Sequence, residues 1–110
     1  MTKAEKRRTL MHYRDMLKGR KAKEDDTELY EKFYEDLGKA ECLDADYSDN
    51  MKKGEFDKAI SKVEDFSLQD CIAYLTFVMR AERWSNGWFA KSIDDGSIYN
   101  LLKRAVDVMP

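Results

Sequence analysis

Apolar positions recur at helical spacing along most of this chain, and nowhere do they alternate as a strand would require. The clearest case is TELYEKFYEDLG, where Leu29, Tyr30, Phe33, Tyr34 and Leu37 fall on one stripe of a 3.6-residue helix. Glu28, Glu31, Lys32, Glu35 and Asp36 cover the remaining faces. Asp26 or Thr27 suits the start of this helix and Gly38 its left-handed stop. Upstream, Leu10, Met11, Tyr13, Met16 and Leu17 predict a helix over Lys3 to Lys18, with Gly19 ending it. Downstream, Phe56, Ala59, Ile60 and Val63 predict a short helix over 54–66.

The stretch from Leu68 to Trp84 differs in kind. Leu68, Cys71, Ile72, Leu75, Val78 and Met79 form one face, while Ala73, Tyr74, Thr76 and Phe77 fill much of the other. A helix apolar nearly all round is expected to be sandwiched between others. Ser67, followed three residues later by Asp70, predicts a capping box at its start, with aspartate in place of the usual glutamate or glutamine. Asn86-Gly87 marks its stop, Trp88 to Ile93 forms one or two further turns, and Asp95-Gly96 makes a tight break. Ser97 then caps a last helix with Ile98, Leu101, Leu102, Ala105 and Met109 inward.

These elements predict an all-α chain, a compact single-domain bundle of five to six helices around a central buried helix (68–84). Composition supports the reading. Only one proline and five glycines interrupt 110 residues, and a chain of this size buries roughly two thirds of its unfolded surface without metals or disulfides. Charged residues make up 38%, well above the usual ~25%, so many must coat helices.

The charge is segregated. Residues 1–23 carry nine Lys or Arg against two acids, residues 24–70 sixteen acids against six bases, and residues 71–110 five against four, for a net charge of −2. The single domain 1–110 is therefore read as a basic N-terminal helix and loop (1–23), acidic helices (24–66), and a core helix with C-terminal helices (67–110). Its N-terminus lacks the apolar region of a secretory signal, and no stretch approaches the ~18 apolar residues of a membrane span. A cytoplasmic address is the expectation. Cys42 and Cys71 are expected to be free thiols rather than a disulfide in such a chain. The lone His12 gives no zinc site. Asp44, Asp46 and Asp49 lack the glycine that an EF-hand loop needs at its sixth position. No metal or other cofactor is expected.

Here a resemblance enters. Arg80-Ala81-Glu82-Arg83-Trp84, then Asn86-Gly87, Asp95-Gly96-Ser97-Ile98 and Leu101-Leu102-Lys103-Arg104 resemble an uncharacterised bacterial and phage helical domain family over residues 68–105. Its members read arginine, a small residue, glutamate, arginine and an aromatic, then an acidic pair-glycine-hydroxyl-aliphatic segment and a leucine-rich end. Trp84 stands where phenylalanine is expected, and Ala81 where glycine is common. The resemblance implies a small helical domain and supplies no activity.

Catalysis finds no footing. No nucleophile–base set, phosphate loop, dinucleotide fingerprint or zinc-protease motif is present. Three function classes follow. The first is a non-enzymatic interaction protein, of the kind carried by phages and mobile elements, that docks on a protein or protein–nucleic-acid complex and inhibits a host defence. Its candidate surface residues are Lys6, Arg7, Arg8, Arg14, Asp44, Asp46 and Asp49. The second is a binder of a small anionic ligand such as a nucleotide. Arg80 and Arg83 would supply charge, Trp84 and Trp88 stacking walls, and Ser97 an open helix N-terminus, with Glu82 between. In the competing structural reading, Arg80 or Arg83 pairs with Asp94 or Asp95 and ties the helix end to the next turn. The third is weak nucleic-acid binding through residues 3–23, expected to be negligible at physiological salt.

Overall fold

In a computed structural model, residues 3–21, 27–45, 47, 62–84 and 87–109 are described, the side chain of Trp84 excepted. Five α-helices run through them: α1 (Lys3–Leu17), α2 (Thr27–Lys39), α3 (Leu68–Trp84), α4 (Trp88–Asp94) and α5 (Ser97–Val108), with a 3-10 turn at Val63–Asp65 before α3. Most of the helix expected over 54–66 lies outside the described residues.

The capping box at α3 forms as expected. The Asp70 amide donates to Ser67 Oγ at 3.1 Å, and Asp70 Oδ2 accepts the Ser67 amide at 3.0 Å. The helix it launches is buried continuously from Cys71 to Thr76 and again at Val78 and Met79. α5 is the second hub: it packs on α1, α3, α4 and the 3-10 turn. It buries Ile98, Leu101, Leu102, Ala105 and Val106. Arg104 Nε on α5 donates to the Phe66 carbonyl at 2.8 Å, which fixes the approach to α3.

The basic helix α1 is folded into the bundle. It packs chiefly on α5 and also on α2, burying Leu10, Tyr13 and Leu17. These three recur at i, i+3, i+7, so Met16, one step off that line, is left 40% exposed. Tyr13 lies 4.4 Å from the Phe33 ring, and its hydroxyl donates to Asp36 Oδ2 at 2.5 Å. Burial, then the Asp36 carboxylate, pushes the Tyr13 phenol well above the usual tyrosine range.

One helix end departs from expectation. α2 runs through Gly38 to Lys39, and the left-handed residue is Glu41, at φ +57°. The Cys42 amide donates to the Leu37 carbonyl at 2.8 Å and the Glu41 amide to the Gly38 carbonyl at 3.1 Å. This is a Schellman ending with Glu41 at its left-handed position, closed by the buried pair Leu37 and Cys42. A Cβ at Gly38 would sit 3.6 Å from Leu43 Cδ1, in ordinary contact, so the helix there has room for alanine. The stop moved because burial of Cys42 and Leu37 outweighs the local preference of glycine.

Cys42 and Cys71 are both free and fully buried. Burial raises their thiols to about 11 and about 12 respectively. No helix among the described residues is long and apolar enough to cross a membrane.

Candidate functional site

The charged cluster at the end of α3 is divided by the structure into separate places. Glu82 turns toward the following helix. Its Oε1 accepts the Phe89 amide at 2.9 Å, and both carboxylate oxygens lie within 3.3 Å of the Gly87 amide. A carboxylate there meets the unpaired amides and positive end of α4, so Glu82 sets where α4 begins. Glu82 thereby caps the start of α4.

Arg80 and Arg83 are exposed. The Arg80 guanidinium lies over the Tyr47 ring, 5.5 Å from its centroid. Arg83 faces α2, bordering a shallow cleft of about 360 Å³ with Tyr30, Glu31, Tyr34 and Glu35. The Tyr30 hydroxyl is committed to the Met79 carbonyl at 2.5 Å, and burial raises that phenol to about 12. Of the two carboxylates there, Glu35 is paired with Lys39 at 2.7 Å, and Glu31 opposes an anionic ligand. Asp95 makes a local link: its Oδ1 accepts the Ser97 amide at 2.9 Å and also the Ser97 hydroxyl. Ser97 is buried, and Asp95 already holds its amide at the start of α5. Gly96, at φ +80°, supplies the left-handed turn that brings Asp95 back onto that amide.

The remaining candidates divide likewise. Arg7 Nη1 donates to the Val106 carbonyl at 3.0 Å near the end of α5, where cations are favoured. Arg14 pairs with its neighbour Asp15 at 3.0 Å, Lys6 is half-buried and Arg8 exposed. Asp44 Oδ2 accepts Gln69 Nε2 at 2.8 Å, and the Asp44 amide donates to Thr76 Oγ1 at 2.9 Å. Asp46, Asp49 and the side chain of Trp84 lie outside the described residues. Among the described residues no group of three or more His, Cys, Asp or Glu side chains could hold a metal ion.

What the structure does assemble is a row of rings. Tyr47 and Phe77 lie 6.4 Å apart, and Phe77 meets Trp88 edge-on at 5.2 Å and 85°. Arg80 covers Tyr47 at one end, and at the other Lys91 Nζ lies 6.0 Å above Trp88. All three rings are half-buried and both cations exposed. Phe77 and Arg80 sit three residues apart on α3, as do Trp88 and Lys91 on α4, so each helix presents one ring and one cation on the same face. Glu82 joins the two pairs by anchoring α4. Trp88 and Arg80 were legible as candidates. Tyr47, Phe77 and Lys91 were not, because Tyr47 falls in a polar stretch and Phe77 reads as core.

Residues 19–110 match the model of a family of unknown function, DUF6508. The match takes in α2 and the acidic block, beyond the 68–105 stretch that carried the resemblance. No curated protein matches the chain, and no solved structure does.

Proposed function

Because the chain belongs to the DUF6508 family, whose function is unknown, its role must be argued from its own surface, and we propose a non-enzymatic docking protein. It binds a protein partner through Tyr47, Phe77 and Trp88, with Arg80 and Lys91 at the two ends. The observation that carries this reading is the row itself. Half-buried tyrosine and tryptophan beside arginine are the residue types that dominate binding energy at protein interfaces. They keep an apolar body against the core while offering contact area at low entropic cost.

The other readings have less behind them. A nucleotide at the end of α3 would face Asp95 at the start of α5 and Glu31 in the Arg83 cleft. A nucleic-acid surface on α1 would draw on Arg7, which donates to α5, and Arg14, which pairs with Asp15. Inhibition of a host defence complex through carboxylates would draw on Asp44, which holds Gln69. Docking through the ring row is therefore proposed ahead of docking through the acidic block, and occlusion of a larger complex is one effect such docking would have.

A photo-crosslinking residue placed at position 81, one helical turn after Phe77 on α3, tests the proposal, with position 103 on the exposed side of α5 as reference. In the native cell, position 81 should capture one protein, position 103 should not, and Trp88→Ala should abolish capture. Equal capture from position 103 would refute the assignment of the surface.

A further inference from the structure

Building on the docking reading, we infer that the ring row receives an extended acidic segment of the partner. One carboxylate meets Arg80, another meets Lys91, and an apolar side chain rests on Phe77 between them.

The geometry separates this occupant from a nucleic-acid strand. A single strand binds by stacking successive bases on open ring faces. Here the face of Tyr47 carries the Arg80 guanidinium at 5.5 Å, and that of Trp88 carries the Lys91 ammonium at 6.0 Å. The rings themselves are inclined, Tyr47 to Phe77 by 51° and Phe77 to Trp88 by 85°. Bases would have to displace both cations and would still find no parallel ladder. The same features suit a peptide. Each cation rests on a ring, so it loses less side-chain freedom when an anion arrives. Phe77 offers apolar surface between them. An extended chain turns alternate side chains to one face, so acidic, apolar and acidic groups at alternate positions can face Arg80, Phe77 and Lys91 together. The nearest carboxylate on α3, Glu82, is directed to the α4 amides rather than toward the row.

The test uses the full chain and three fluorescein-labelled probes in anisotropy titrations: a peptide with a glutamate two residues to either side of a central leucine, the same peptide with lysines for the glutamates, and a short oligothymidylate. The acidic peptide should bind, the lysine peptide should not, and added salt should weaken the acidic complex. Arg80→Glu and Lys91→Glu should each weaken it by about tenfold or more, as expected for reversing a charge at an interface. Both residues are exposed, so thermal melts of the variants should match the parent and separate lost binding from lost folding. Tighter binding of the oligothymidylate than of the acidic peptide would overturn both this inference and the docking reading. Failure of the acidic peptide, with crosslinking from position 81 intact, would overturn the acidic segment alone.

Discussion

Thr76 carries the connection between the core and the loop after α2. It is fully buried, its hydroxyl donates to the Ile72 carbonyl at 2.8 Å, and it accepts the Asp44 amide at 2.9 Å. Thr76→Val preserves shape but strands the Asp44 amide, so it should destabilise the protein by about 1–3 kcal/mol in denaturant unfolding. Glu41 sits in a left-handed conformation that costs a non-glycine residue roughly 1–2 kcal/mol. Glu41→Gly should therefore raise the melting temperature, and Gly38→Ala, inside the helix, should stabilise the fold by up to about 1 kcal/mol. The thiols fix a pH limit. Folded Cys42 and Cys71 hold their protons to about 11 and about 12, whereas an unfolded thiol releases its proton near ~8.5. The unfolded chain loses protons first, so stability is full below that pH and falls as pH rises toward the folded values. Melting temperatures measured from pH 8 upward should decline, and less steeply in Cys71→Ala when each variant is compared with its own value at pH 8. None of these three sites was fully legible beforehand. Thr76 read as part of an apolar face, Glu41 as ordinary loop, and the cysteines only as free thiols.

At the scale of elements, the signals written in adjacent residues were the readable ones. The α3 capping box depends on Ser67 and Asp70 alone, and the structure draws both of its bonds. Ser67→Ala should cost about 1 kcal/mol. The caps that reach across a gap were hidden. Glu82 serves amides five and seven residues away in the next helix, and Asp95 takes the role assigned to Ser97. Spacing along one helix carries no information about such contacts, because the turn between elements sets them. Glu82→Ala should destabilise by about 1 kcal/mol and shift the fluorescence of Trp88, measured in a Trp84→Phe background. An unchanged spectrum would mean that α4 holds its place without Glu82.

For the whole molecule, the all-α class followed from sparse breakers and helical periodicity, and the buried centre followed from α3 being apolar on nearly every face. Leu75, fully buried there, should cost about 2–5 kcal/mol when replaced by alanine, more than any change on the surface. The partners of each helix did not follow. The opposite charges of residues 1–23 and 24–70 left open whether α1 packs on the acidic block, and α1 is held by Leu10, Tyr13 and Leu17 against α5 and α2. Apolar burial of roughly 2 kcal/mol per large side chain outweighs exposed ion pairs worth a few tenths.

That attachment bears on how the domain can be cut. The family match starts at residue 19, but three anchors of the core come from the helix before it. A recombinant fragment trimmed to the matched boundary would bare Phe33 and the α5 face that α1 covers. Such a fragment should be prone to self-association, visible as early elution in size-exclusion chromatography, and a separately supplied peptide of residues 1–20 should restore the elution of the intact chain.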